Sequence, residues 1–356
     1  MSALIPRREQ LAAMGAYRSV QPDVPVRLNT NESPFPPPAA WQEELTSALR
    51  AVSFHRYPDR DVTKLRQGIA ELHGVTPAEV FCANGSNEVL QCLLLAFGGV
   101  GRRALLFEPT YALHGHIARL TATEVAVGGR GADLRIDVVA AARLVGELQP
   151  DVLFVCSPNN PTGRLEDPET VTALVAQAPG LVVVDEAYGQ FARWSALELR
   201  GAQGAEGLVV VRTFSKTWAM AGARLGYLVA HPDVVDGCRA AALPYHVSSQ
   251  TQLAGVLALR HREAMEVRVR QVAEGRAALT AALGSLEVET WPSDANFVLF
   301  RPRRRAADEV WKGLLAEGVL VRDFSTVPGL EGCLRVTVGT DEENRRFLDA
   351  LERILQ

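Results

Sequence analysis

The chain has 356 residues, enough for one large domain and a smaller one. Its 47 % hydrophobic and 22 % charged content is ordinary for a soluble globular protein with a sizeable core, and a net charge of −4 with a pI near 6.0 excludes the basic footprint of a general nucleic-acid binder. The five cysteines, at 82, 92, 156, 238 and 333, match neither zinc-ligand spacing nor a disulfide framework. No metal is therefore expected, and a reducing cytoplasm fits the cysteine usage. MSALIPRREQ lacks the apolar core of a signal peptide, and no stretch approaches membrane-spanning length.

A short helix is expected over 4–16. The stretch VRLNTNESPFPPP, residues 26–38, ends in prolines that keep it extended. It reads either as a linker or, through Asn29, Asn31 and Glu32, as the wall of a site. An amphipathic helix over 41–52 precedes a loop at 55–61, where Tyr57 stands before a proline, and a helix over 62–72 follows. In VFCANGSNEVLQCLLLAF, residues 80–97, a strand turns through Asn84-Gly85-Ser86-Asn87 into an apolar helix. Two readings stand: a serine or asparagine caps that helix, or its free N–H groups form an anion site.

From there one theme repeats. ALLFEPTY, TEVAVGG, DVLFVCSPNNPTG, LVVVDEAYG, LVVVRTFSK and LGYLVA are apolar runs, mostly separated by helix-length segments at 112–120, 134–148 and 167–178. That alternation predicts βαβ units in a mostly parallel central sheet with helices on both faces. The runs at 208–212 and 225–230 are too close for a helical crossover and predict an antiparallel neighbour. Polar residues collect at the carboxyl ends of these strands: Tyr111, Asn160, Asp185, Tyr188 and Lys216, with Ser86 and Asn87 at a sixth turn. Ligands bind at that edge of an open α/β sheet. After about residue 250 one or two long helices precede LEVETWPSDANFVLFRP, a helix over 306–317, VLVRD, GCLRVTVGT and a helix over 341–355. That is a β–α–β–β–α pattern, a smaller α+β domain. Residues 46–254 are expected to form the large domain, and 1–45 with 255–356 the smaller part. Arg301 and Arg303–Arg305 read as a solvated loop or helix start.

The strand-end inventory has a chemistry. A lysine amine can hold an aldehyde cofactor as an imine, and an aspartate can keep a pyridine nitrogen protonated. An aromatic ring can stack on the cofactor, while a helix N-terminus, a serine and an arginine hold a phosphate. Pyridoxal 5'-phosphate is the cofactor with those needs. SPNNPTG, VVVDEAY, the NGSNE turn, and TFSK followed eight residues later by Arg224 resemble fold-type I aminotransferases. LNTNESPFPPP, RYPD and GCLRVTVGT narrow the resemblance to the histidinol-phosphate aminotransferases, over about Asn29 to Gly339.

The resemblance implies a pyridoxal-phosphate-dependent transaminase acting on histidinol phosphate and 2-oxoglutarate in histidine synthesis. Lys216 would be the Schiff-base and acid–base lysine, Asp185 the partner of the pyridine nitrogen, and Asn160 and Tyr188 the contacts to the ring hydroxyl. Tyr111 would stack on the ring. The amides of Ser86 and Asn87, with Ser215 and Arg224, would hold the cofactor phosphate, Thr213 being a weaker candidate for the same cluster. Tyr57 would reach the phosphate of a neighbouring subunit, making a homodimer with shared sites. Arg335 would grip the anionic end of the substrate, with Arg322 suited to a dianion or else to a surface salt bridge. Tyr17 and the Asn29–Glu32 segment, Asn31 included, would close over the substrate. His114 and His116 read as plain helix residues. An aromatic amino-acid aminotransferase and a threonine-phosphate decarboxylase remain alternatives on the same scaffold. A ligand-sensing regulator lacks room here for an added DNA-binding domain.

Overall fold

A computed structural model of the chain describes residues 21–356 and, ahead of them, residues 5, 8, 11, 14 and 15. Most of the helix expected over 4–16, and all of Tyr17, fall outside the described residues.

Strand β1 (Val26–Leu28) comes from the stretch that reads as a linker. Helices α1 (Ala39–Leu49) and α2 (Thr63–His73) follow, the second closed by Gly74 in the left-handed region at φ 63°. Strand β2 (Val80–Ala83) leads into α3 (Ser86–Phe97). Then come β3 (Arg103–Glu108), α4 (Leu113–Leu120), β4 (Glu124–Gly129) and α5 (Val138–Leu148). The Asp137 carboxylate starts α5 by accepting the N–H groups of Val139 and Ala140. Next are β5 (Val152–Cys156), α6 (Pro168–Gln177), β6 (Leu181–Asp185), β7 (Leu208–Thr213), β8 (Gly226–Val229) and α7 (Pro232–Ala241).

These strands make a seven-stranded sheet in the order β2-β8-β7-β6-β5-β3-β4. Strands β3 to β7 run parallel, and β8 is antiparallel to both its neighbours, as the short connection before it requires. Alternate side chains feed two cores. Val183, Val209 and Val211 pack on the α3 and α7 side, and Val182, Val184 and Val210 on the α5 and α6 side. β5 and β7 are therefore buried along their whole length. β4 reads as a similar apolar run but lies at the sheet edge, where Gly128 alone is buried.

Helices α8 (Ser249–Arg260) and α9 (Arg262–Gly284) lead to a second sheet. It holds β9 (Val288–Thr290), β10 (Phe297–Pro302), β11 (Val319–Asp323) and β12 (Leu334–Thr337), covered by α10 (Ala307–Ala316) and α11 (Asp341–Leu355). Its order is β1-β11-β12-β10-β9, with β1 parallel to β11 through Val26 opposite Val319. LEVETWPSDANFVLFRP reads as one strand but forms two, paired antiparallel. The break is a turn in which Ser293 Oγ donates to the Phe297 carbonyl and accepts the Ala295 N–H. The 26–38 stretch is thus more than a linker: three residues ahead of its prolines join the sheet.

One close approach ties β8 to the start of α3. A Cβ added to Gly226 would lie 2.5 Å from the Gly85 carbonyl carbon, against backbone that cannot yield. Gly146, exposed inside α5, would place a Cβ in ordinary contact only, 3.9 Å from Gln177 Nε2. Gly226→Ala should destabilise the protein by about 1–3 kcal/mol through overpacking, whereas Gly146→Ala should stabilise it by up to about 1 kcal/mol by removing backbone entropy. Thermal melts of the two variants should shift in opposite directions.

Candidate active site

The carboxyl ends of β2, β5, β6 and β7 open into one cavity of about 320 Å³. Its opposite wall is the 29–32 segment, with Arg322, Phe324, Val327 and Arg335 from the β11–β12 side of the smaller sheet. Parallel strands end together on one edge, so residues far apart in sequence meet there.

One end of the cavity is an anion cradle. Gly85, at φ 83°, is the residue that opens α3, and no side chain caps the helix. Ser86 is the first helical residue, so the reading of a serine or asparagine cap is corrected. A side-chain cap would occupy the first N–H groups; its absence leaves them for a ligand. Arg224 closes over this turn, its Nη2 2.5 Å from where a Gly85 Cβ would be. Thr213 Oγ1 donates to Ser215 Oγ at 3.0 Å and accepts the Ser215 N–H, which fixes that hydroxyl at the cavity wall. The Tyr111 hydroxyl donates to Asn87 Oδ1 at 3.2 Å.

Asp185 ends β6, 2 % exposed. Its Oδ1 accepts the Ala187 N–H at 3.0 Å, and its Oδ2 pairs with His114 Nε2 at 2.8 Å. The imidazole is itself clamped, stacked on Phe154 at 4.8 Å and meeting the Tyr111 ring edge-on at 5.4 Å. His114 is thus no plain helix residue: it orients the Asp185 carboxylate. The signal was its position three residues after Tyr111, across the turn in which the His114 N–H bonds the Tyr111 carbonyl ahead of α4.

Lys216 follows β7. Its Nζ donates to the Thr30 carbonyl at 2.9 Å and lies 5.9 Å from the centre of the Tyr188 ring. Burial lowers its pKa from the ordinary value to about 8, helped by the Arg335 and Arg224 charges and opposed by Glu32. Tyr188, 4 % exposed, accepts a hydrogen bond from Asn31 Nδ2 at 2.9 Å, and burial pushes its hydroxyl up to about 12. Asn31 sits at φ 55° and is held there from three sides: its N–H donates to Thr337 Oγ1, its Oδ1 accepts from that hydroxyl, and its carbonyl accepts from Asn296 Nδ2.

Arg335 bridges the two sheets. One guanidinium nitrogen donates to Asn160 Oδ1 and another to the Asn29 carbonyl at 2.8 Å. The guanidinium lies between Phe297 and Phe324, at 4.8 and 5.2 Å from the ring centres. Arg322 is directly opposite Arg335 in the β11–β12 register and lines the same cavity.

The cavity therefore gathers Asn31, Ser86, Asn87, Tyr111, Asn160, Asp185, Tyr188, Thr213, Ser215, Lys216, Arg224, Arg322 and Arg335. Tyr57 is elsewhere: it is 80 % exposed and stacks on Tyr245 with ring centres 4.5 Å apart. Phe324 is a further wall residue that the sequence did not single out, and the Asn29–Glu32 segment walls the cavity as expected, in part through the carbonyls of Asn29 and Thr30. The donor set fits pyridoxal phosphate: an uncapped helix start with an arginine at one end, a buried carboxylate at the other, and between them an amine whose pKa is depressed. Among the described residues no group of three metal-ligating side chains occurs.

The amine supplies a direct test. Reductive methylation of cofactor-free protein with formaldehyde should modify Lys216 with a half-maximal rate near pH 8, being slow below it, where the amine is protonated. Lys312, whose pKa its ion pair with Asp308 raises, should react only at higher pH. Peptide mapping by mass spectrometry reads both.

Residues 23–351 match the family model for aminotransferases of class I and II. The chain is 46 % identical to a histidinol-phosphate aminotransferase of Streptomyces avermitilis, over 98 % of this chain and 96 % of the relative. It is 47 % identical to that of Thermobifida fusca, over 98 % and 95 %. Among solved structures it resembles the histidinol-phosphate aminotransferase of Sinorhizobium meliloti in complex with pyridoxal-5'-phosphate, at a TM-score of 0.90 and 22 % identity over 99 % of this chain and 98 % of that one. It also resembles L-threonine-O-3-phosphate decarboxylase of Porphyromonas gingivalis, at a TM-score of 0.80 and 27 % identity over 93 % and 99 %. With a family model spanning nearly its whole length and relatives this similar, the chain belongs to the class I and II aminotransferases.

Proposed function

We propose that this enzyme interconverts L-histidinol phosphate and 2-oxoglutarate with imidazole-acetol phosphate and L-glutamate, the transamination of histidine synthesis, using pyridoxal phosphate. The observation that carries the substrate is the in-register pair of Arg322 and Arg335 on neighbouring strands, both at the cavity wall. Like charges directly opposite across a ladder destabilise it. A phosphate dianion between them offsets that repulsion better than a single carboxylate, and guanidinium forks suit both. The amino donor, glutamate, uses the same site through a carboxylate.

Pyridoxal phosphate supplies an aldehyde for the amino group and a ring that takes up an electron pair. Ser86, Asn87, Ser215 and Arg224 would hold its phosphate, and Asp185, oriented by His114, would keep its pyridine nitrogen protonated. Asn160 and Tyr188 would hydrogen-bond its ring hydroxyl, with Tyr111 against its face. The Lys216 amine would first anchor the cofactor covalently and then, released, take the proton from the amino-bearing carbon of the substrate. A pKa near 8 keeps a useful fraction of that amine neutral at physiological pH. Arg335 would hold the substrate anion while its bond to Asn160 couples substrate and cofactor subsites. Tyr17, outside the described residues, and Asn31 would close the substrate end.

A homodimer with shared sites belongs to the same reading. The stacked Tyr57 and Tyr245 are exposed, and Phe54 and Leu243 on the same two segments are exposed as well, at 69 % and 77 %. A second copy covering this surface would bring Tyr57 to its neighbour's cofactor phosphate. A cytoplasmic location is supported by five free, buried cysteines. Among the described residues no helix is long and apolar enough to cross a membrane.

Protein loaded with pyridoxal phosphate and given histidinol phosphate and 2-oxoglutarate should form glutamate far faster than with phenylalanine or tyrosine. Faster turnover of phenylalanine would overturn the substrate, and carbon dioxide release from threonine phosphate would make the enzyme a decarboxylase. Arg322→Gln should raise KM for histidinol phosphate about 10- to 100-fold, the worth of a charge-assisted hydrogen bond, and raise KM for glutamate less. Lys216→Ala should abolish borohydride-trapped attachment of pyridoxal phosphate, read as intact mass.

A further inference from the structure

Behind the pocket lies a buried charged network to which the reaction assigns nothing. Arg212 on β7 is 7 % exposed and Glu186, just past β6, 2 %. Arg212 Nε and Nη2 both donate to Glu186 Oε2, at 3.0 and 2.7 Å. Arg212 Nη2 also donates to Ser195 Oγ at 2.8 Å, and that hydroxyl donates to the Glu186 carboxylate. Glu186 Oε1 accepts the Ala196 N–H at 2.6 Å. On its far side the Arg212 charge faces the hydroxyl of Tyr227, which lies 2.7 Å from His73 Nε2. Burial pushes His73 down to about 3 and Tyr227 up to about 12. Both are neutral at pH 7 and share a hydrogen bond between the hydroxyl and Nε2. No fully buried nitrogen or oxygen of these side chains lacks a partner.

The placement matters more than the pairing. Asp185 is opposite Val211 in the last rung of the β6–β7 ladder, and the Glu186 N–H donates to the Val211 carbonyl. Alternation along the strands puts Asp185 on the α3 side with Val183, and Arg212 on the other side with Val210. The ion pair thus grips β6 one residue past Asp185, and β7 four residues before Lys216. It also abuts the Tyr188 turn: a Cβ on Gly189 would lie 2.9 Å from Glu186 Oε2. Desolvation offsets much of what a buried ion pair contributes, so an apolar pair of like volume would cost mainly the hydrogen bonds from the Ser195 hydroxyl and the Ala196 N–H. It would not hold two strand ends through directional bonds.

We propose that Glu186 and Arg212 are positioning residues, clamping the ends of β6 and β7 from behind the sheet and so setting Asp185 against Lys216. The inference rests on the reading of those two residues as the cofactor's carboxylate and amine. A small error in such a pair weakens both cofactor binding and proton transfer, by about 10- to 100-fold for displacements near 1 Å.

The test uses the full chain with pyridoxal phosphate. Three properties are compared between the wild type and the double variant Glu186→Leu/Arg212→Met: melting temperature, the pyridoxal phosphate dissociation constant of the apoprotein, and the pH midpoint of the bound cofactor's visible absorption. The clamp predicts a folded double variant whose cofactor binding weakens by about tenfold or more and whose pH midpoint moves. Wild-type affinity and midpoint in the folded double variant would overturn it, whatever the melting temperature. Should the double variant not fold, Arg212→Lys, which keeps the charge but loses the fork, is read the same way: a moved midpoint supports the clamp and an unchanged one overturns it. Lys216→Ala separates the two claims. If its pH-dependent band survives, the assignment of Lys216 fails; if the band is lost while the clamp variants match the wild type, only the clamp fails.

Discussion

The parallel ladder β5–β6–β7 fixes where the chemistry sits. Cys156 is opposite Asp185 and Asp185 opposite Val211, so β5 and β6 stop in the same rung and β7 runs on two residues, to Thr213. Each then turns at the same edge, delivering Asn160, Asp185 and Lys216 from three separate stretches of sequence. That registry is enforced by burial on both faces, since a slip of one residue would turn every valine to the wrong core. The meeting of these side chains is therefore a by-product of core packing.

Charge is managed by the second sheet. Arg335 comes from β12 yet bonds Asn160 of the large sheet and the carbonyl of Asn29. Burial above all, and then the Arg335 charge with that of Arg224, keeps the Lys216 amine well below an ordinary lysine. One arginine thus links the smaller sheet, Asn160 at the large-sheet edge and the basicity of the lysine. Asn31 performs a similar joining from the N-terminal side, bonding Tyr188 of the large sheet and Thr337 of the small one.

The strand-end residues were legible in sequence because parallel strands buried on both faces leave an unmistakable apolar run, and polar residues just past such a run have one place to go. The antiparallel β8 was legible from connection length alone. Strand β1 was not: three residues before a proline-rich stretch carry no period, and they become a strand only because β11 is there to pair with. The split of β9 from β10 hid behind two apolar flanks around Pro292. His114 was underrated because its partner Asp185 is 71 residues away, and helix spacing says only which side a ring faces. The N-terminus of α3 is open to two readings in sequence because Ser86 and Asn87 are both good caps; the left-handed Gly85 takes the cap position instead. Tyr57, whose proposed role needs a second copy of the chain, shows within one chain an exposed stack on Tyr245.

The most direct measurement of the central claim is a single turnover. Protein carrying pyridoxal phosphate, without any keto acid, is mixed with histidinol phosphate while the cofactor absorbance is followed and the released product is weighed by mass spectrometry. The account predicts complete conversion of the cofactor to its amine form, with one equivalent of imidazole-acetol phosphate per site, and glutamate driving the same conversion with release of 2-oxoglutarate. No spectral change with histidinol phosphate, while glutamate and phenylalanine convert the cofactor fully, would contradict it.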